Sequence, residues 1–367
     1  MKINTHPIRL TSEKNWFHPS FCRFGEDRLL LTMLEYLGPD FYGAPVFAIG
    51  KSADDTFEEP RPIPPFAHRQ REDGLVEAVA DPRPFQLNPG SVVVFGCTTF
   101  YRDKGNAVYD PNIPLPANEP VYAVLGTDGT WSERMRLKVD GTFSGYRTAC
   151  TQICRDRNGD WIVPFYAKKL SAEKNGAPMF FTITARYRFD GKKLVFQEKG
   201  NVLEIGVGRG FVEPSVCTNS DKSRFYLTLR AEDGHAYSAV SEDGLFWSDP
   251  IPWRWDDGTE IETSTTQQHW LKTGGKIYLA YTRKTAENAH IFRFRAPLYL
   301  AEADPERGVL IKRTESVVFP LRERDGEAAV YGNFHVTQLS DDHALISDSA
   351  LFQESRTSFP MIADVQP

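Results

Sequence analysis

The feature that most constrains this chain is a module that recurs along it. Its clearest copy runs from Phe211-Val-Glu-Pro-Ser-Val-Cys217 through Ser223–Arg230 to Ser241-Glu-Asp-Gly-Leu-Phe-Trp247. The pattern reads as a strand, a turn, a partner strand, and a second hairpin closed by a Ser-x-Asp-Gly turn. Strand pairs of this kind begin near Phe17, Leu75, Cys150, Phe211, Thr266 and Gly332, at intervals of 55 to 75 residues. Their partner strands read as Leu29–Met33, Val92–Phe95, Trp161–Phe165, Phe225–Leu229, Ile277–Tyr281 and Ala344–Ser349. Second-hairpin turns follow at Ser52-Ala-Asp-Asp, Thr127-Asp-Gly, Phe189-Asp-Gly, Ser241-Glu-Asp-Gly and Glu302-Ala-Asp-Pro. Five units are complete and a sixth lacks a strand.

A repeated unit that is itself a small antiparallel sheet predicts radial stacking. The expected fold is all-β, a six-bladed β-propeller formed as a single domain over residues 1–367, with five blades as the alternative count. The N-terminal Pro7–Thr11 is expected to supply the missing strand, because a ring closed in that way leaves no open sheet edge. Aromatic residues at 13% and 25 prolines suit many short strands joined by turns.

A formal charge of −6 with no Lys/Arg cluster argues against nucleic acid or a membrane surface as partner. Neither a signal peptide nor an apolar run of spanning length is recognisable, so the chain reads as soluble, cytoplasmic as it stands, or secreted or periplasmic if a leader has been removed. The five cysteines, Cys22, Cys97, Cys150, Cys154 and Cys217, have no paired metal-type spacing and read as small buried thiols. No loop of calcium-site spacing is evident, so neither a metal nor a cofactor is expected. Nothing in the sequence speaks to oligomeric state.

In a propeller the inner strands begin around a central funnel, so polar residues at those positions are the site candidates. His18 stands at the first such start, and the Gly/Pro-bracketed loop Leu37–Gly43 projects Asp40 and Tyr42. In the second unit Glu77 is the preferred candidate, with Asp81 read as solvated, and the insertion Asp103–Pro120 reads as a surface loop walling a cleft. Thr151 and Gln152 follow in the third. Glu213, before a proline at the head of an apolar strand, is the strongest catalytic candidate by local context, and Arg230 ends its partner strand. The run Ser264–Trp270 contributes Gln268 and His269. Strand alternation over His290–Pro297 would place Arg293 and Arg295 on one face. Tyr331, Asn333 and His335 open the sixth unit.

These residues carry a resemblance. The turn Ser241-x-Asp-Gly-x-x-Trp247 resembles the Asp-box of the sialidase superfamily, one residue shorter than usual, and Glu213-Pro-Ser-Val with Arg230 is similar to that family's glutamate strand and its carboxylate-binding arginine. Arg295-Ala-Pro-Leu298 resembles the strand start bearing another such arginine, and Asp40 falls where the family has its acid. Two positions depart: Phe17-His-Pro19 replaces the family's opening Arg-Ile-Pro, and the register of the nucleophilic tyrosine falls on Asn333, with Tyr331 two residues earlier. The chain also resembles a bacterial sialidase-like group that shares the stretches around Thr266–Trp270 and Gly332–His335.

What the resemblance implies is a carbohydrate-active enzyme, a sialidase-like glycoside hydrolase that removes a terminal acidic sugar from an oligosaccharide or glycan. Asp40 would be the general acid and Glu213 the base, or the activator of Tyr331 or of a water. Arg230 and Arg295 would grip the anionic group. A lyase acting at a uronate is the alternative, with His18, His269, His335, Tyr42 or Tyr331 as base. A propeller that binds glycans without cleaving them is the third reading.

Overall fold

The structure is a computed structural model that describes residues 1–109, 115–168, 180–263 and 265–367. Residues 110–114 of the expected cleft-wall loop and Ser264 of the expected polar run lie outside the described residues. The second strands explain the architecture. Phe225–Arg230 is buried at every position, and Trp161–Lys168 at all but its last. A strand covered on both faces needs a sheet packed on each side, and six sheets around one axis satisfy that for all of them.

Blade 1 is built from Trp16–Arg23, Leu29–Gly38, Val46–Gly50 and Arg61–Pro62, and blade 2 from Val76–Asn88, Ser91–Arg102, Pro120–Leu125 and Met135–Arg136. Blade 3 takes the short Gly145–Arg147 and Cys154–Arg155 as its inner edge, followed by Trp161–Lys168, Phe181–Phe189 and Leu194–Lys199. Blade 4 runs Val212–Thr218, Phe225–Arg230, Ala236–Ser241 and Ile251–Pro252, and blade 5 His269–Thr273, Lys276–Tyr281 and Leu298–Asp304 with Val309–Leu310 outside. Blade 6 takes His335–Ser340, His343–Phe352 and Thr357–Gln366, then borrows Lys2–Pro7 as its outer strand. The blades therefore number six, and each partner strand read from the sequence lies within an observed one. No helix among the described residues is long and apolar enough to cross a membrane.

The borrowed strand pairs antiparallel from Lys2 opposite Gln366 to Pro7 opposite Met361. Its range precedes the expected Pro7–Thr11. Four of the six residues of the strand are polar and its positions are only exposed or half-buried, so its apolar pattern carried little register signal, whereas Ile8 still bonds Pro360 of blade 6 and Arg9 turns to Phe57 beside blade 1.

Apolar side chains fill the space between neighbouring blades. Val93, Phe95 and Tyr122 of blade 2 pack with Val163, Phe165 and Ile183 of blade 3. The Ser241 turn pins one blade to the next: Asp243 Oδ1 accepts from the Leu245 and Phe246 amides at 2.8 and 2.9 Å, and the buried Trp247 donates from Nε1 to Thr184 of blade 3 at 2.9 Å. Gly244 stands at φ 77° with Phe225 and Ile162 against it, so a side chain there would be strained and crowded. Deleting residues 1–7 leaves Thr357–Gln366 as an open edge. The deletion variant is expected to melt at a lower temperature and to aggregate as concentration rises, read by calorimetry and light scattering.

Candidate functional site

The inner strands meet at the axis, and they share an irregularity there. Pairing slips between Phe17 and Ser20, between Ala80 and Arg83, and between Val212 and Ser215. At or beside each slip a non-glycine residue takes left-handed backbone: His18 at φ 53°, Asp81 at 53° and Glu213 at 49°, with Cys150 at 55° in blade 3. Such a conformation costs about 1–2 kcal/mol per residue and persists only where the surroundings impose it, as at functional sites. Three of the four precede a proline, a residue that sheets tolerate at bulges. By register, Gln267 and Asn333 hold the equivalent places in blades 5 and 6. These six residues form a polar ring at the axis.

Asp81 is its electrostatic centre. Its Oδ1 lies 3.2 Å from His18 Nδ1 and 3.1 Å from His335 Nε2, and its Oδ2 lies 3.0 Å from Arg83 Nε and accepts the Cys150 amide. Burial alone would raise this carboxyl, yet Arg83 and the imidazoles hold it well below the usual carboxylate range. Burial lowers His335, and burial together with the neighbouring His335 and Arg83 lowers His269 further. Asp81 is 1% exposed, so the expectation of a solvated side chain is corrected. The preferred Glu77 instead pairs with Arg134 and Arg71, away from the ring. The recurring acidic-or-His–Pro dipeptide on inner strands was the signal for Asp81, and Gln267 had none.

Above this centre two arginines converge. Arg230 Nε donates to Thr265 Oγ1 at 2.9 Å and its Nη1 to Glu213 Oε1 at 2.6 Å, while Nη2 is buried with no hydrogen-bond partner among the described residues. Arg295 Nε donates to Thr266 Oγ1 at 2.9 Å, and burial with the nearby Arg230 brings its guanidinium down to about 10. Arg293 is not on a strand with Arg295. Phe292–Phe294 forms a short 3₁₀ turn with Arg293 at φ 52°, so the expected alternation fails where the chain must turn before Pro297. Asp40 accepts from Tyr42 at 3.2 Å and from Tyr109, and Asn106 holds its backbone carbonyl.

Tyr331 is fully buried, its hydroxyl donating to the Pro320 carbonyl at 3.1 Å and its ring against Phe319. Gln268 accepts from Thr228 inside the sheet packing. Gln152 bonds the Trp270 amide and carbonyl at 2.7 and 2.8 Å, and His269 shares a 2.9 Å hydrogen bond with Ser215. Asn333 faces the Cys150 thiol at 3.7 Å. Beneath the ring an axial cavity of about 220 Å³ is lined by Arg83, Gln152, His269 and His335 among others.

No protein-family model and no curated protein matches the sequence. Solved structures do match. A Dyadobacter fermentans protein of unknown function superposes with a TM-score of 0.69 at 13% identity, covering 99% of each chain. The NanB sialidase of Streptococcus pneumoniae, as a K499G mutant, gives 0.66 at 10% identity over 98% of this chain and 71% of that one. The fold is that of the sialidases. The Hadza microbial sialidase Hz136 matches similarly, at 0.64 and 14% identity, with 96% of this chain covering 66% of its length.

One further carboxyl stands beside the sialidase-fold funnel. Asp348 is fully buried and accepts the Ser349 amide at 2.7 Å, and its Oδ2 has no hydrogen-bond partner among the described residues. Burial pushes it up to about 8 from 3.8, against the Ser349 and Asn333 amides and Arg295. The folded state therefore keeps a proton that the unfolded chain releases near pH 4, and stability falls as pH rises from about 4 to about 8, by up to about 1.4 kcal/mol per pH unit. Asp348→Asn is expected to remove that slope, leaving the variant more stable relative to the parent at pH 8 than at pH 4 in paired denaturant titrations.

Proposed function

We propose that this chain is a glycan-cleaving enzyme that hydrolyses the linkage of a terminal acidic sugar. The observation that carries the reading is the pair Arg230 and Arg295, anchored on the adjacent Thr265 and Thr266, with Arg230 Nη2 buried and unpartnered among the described residues. Two fixed guanidiniums side by side repel one another, and a carboxylate that bridges them relieves that repulsion while completing their hydrogen bonds. A uronate or another carboxylated sugar supplies such a group. Fold likeness to sialidases supports a glycan substrate as analogy.

Asp40, at the tip of a blade 1 loop and presented by Tyr42 and Tyr109, serves as the acid that protonates the departing oxygen. Glu213, whose Oε1 is fixed by Arg230, serves as the base toward a water on the sugar's other face. Tyr331 takes no part, because its hydroxyl is committed to Pro320 within the core. The reaction therefore runs by direct attack of water, with no tyrosyl intermediate.

Incubation with oligosaccharides ending in uronate, rhamnosyl-uronate or sialate, with products followed by mass, tests the reading. A product pair heavier than substrate by one water is expected. Products without added water, one absorbing in the ultraviolet as an unsaturated uronate, would replace hydrolysis with elimination. Asp40→Asn and Glu213→Gln should abolish turnover and retain binding. Arg230→Met or Arg295→Met should each lower kcat/KM by roughly 10- to 100-fold, the worth of a charge-assisted hydrogen bond at about 1.5–3 kcal/mol. No turnover of any of these substrates, with binding that survives neutralising both carboxylates and is weakened only by the arginine changes, would leave a glycan-binding propeller.

A further inference from the structure

The cluster of His18, Asp81 and His335 plays no part in the cleavage just described, and it gathers two imidazoles around one buried carboxylate. The three residues come from blades 1, 2 and 6 and all are buried; His18 Nδ1, Asp81 Oδ1 and His335 Nε2 lie within 4.8 Å of one another. His18 Nδ1 and His335 Nε2 close on the same oxygen, Asp81 Oδ1, at 3.2 and 3.1 Å, so two imidazole nitrogens from different blades converge on one carboxylate oxygen. Separations near 3 Å are those of neighbouring ligands on a metal with bonds of about 2.0–2.2 Å.

The geometry points to a divalent transition-metal site formed by His18 Nδ1, Asp81 Oδ1 and His335 Nε2. Two imidazoles and one carboxylate are a nitrogen–oxygen set suited to zinc, and also to iron or manganese. The supporting shell is present: Arg83 Nε and the Cys150 amide both engage Oδ2 of Asp81, which turns Oδ1 toward the histidines. The nearby Arg83 cation opposes a second positive charge, so the site is weaker than an all-carboxylate cage and is read best with excess metal. His335 also lines the axial cavity, which gives an ion a way in. A bound ion would tie blade 6 to blades 1 and 2 across the seam where the ring closes. The inference stands apart from the cleavage reading, since none of the three ligands belongs to Asp40, Glu213 or the arginine pair.

The test uses the full chain after chelator treatment, with Zn²⁺ alone added in excess and unbound metal removed by gel filtration. Elemental analysis should find one zinc per chain, and the melting temperature should rise with added Zn²⁺ and fall back with chelator. Asp81→Asn and His335→Gln should each reduce retained zinc at least tenfold. Because either variant can disturb folding, the unaltered protein is also loaded with Co²⁺, whose visible absorption bands report nitrogen–oxygen coordination. No retained zinc, no shift in melting and no cobalt bands would overturn the site and leave a proton-linked His–Asp–His contact. Binding of a uronate oligosaccharide in the presence of chelator, lost in Arg230→Met, is read separately, so failure of the metal site and failure of the arginine clamp are distinguished.

Discussion

The structure depends on how six inner strands share one axis. A regular ladder would carry each strand's side chains alternately into the two neighbouring blades. A bulge, with one residue forced into left-handed backbone, instead turns a side chain inward. His18, Asp81, Cys150 and Glu213 all sit in that conformation, and the cost of holding four such residues is met by the aromatic and aliphatic packing between blades. Site and scaffold are therefore one arrangement, because the irregularity that builds the polar ring is braced by the sheets on either side.

A buried ring of this polarity is stable only if its charges answer one another. Asp81 sits between Arg83 and two imidazoles, and Glu213 against Arg230. Arg83 braces Asp81 from the same strand, whereas His18 and His335 reach it from blades 1 and 6 and Arg230 reaches Glu213 from the neighbouring strand, so the electrostatics at the axis also hold the blades in register. Asp348 departs from that rule. Its carboxyl has amide donors but, among the described residues, no ion-pair partner, and burial pushes it up to about 8.

Much of the candidate site was legible one residue at a time. Glu213 was marked by its proline and its apolar strand, Arg230 by ending the partner strand, and Asp40 by its Gly/Pro-bracketed loop. Asp81 was passed over because a single acidic residue near a strand end is ordinarily solvated, and only the neighbouring blades show that it lies on the axis. Tyr331 stands two residues from Asn333, on what would be the same face of a regular strand. The chain is not a regular strand there, so the phenol falls into the core between blades 5 and 6 and not into the funnel. The alternation read over His290–Pro297 failed for a related reason: a short 3₁₀ turn has no two-residue period.

The sequence by itself determined the architecture, because strand and turn signals are local: the strand pairs recur six times and the second-hairpin turns five. Repetition turns weak local preferences into a strong global constraint, since each unit can bury its faces only against its neighbours. Tertiary structure alone decided which polar residues meet. His18 and His335 are separated by more than three hundred residues in the chain and lie on one carboxylate oxygen in space. Contacts of that range depend on ring closure and on the direction each bulge gives its side chain, and neither is written in any one strand.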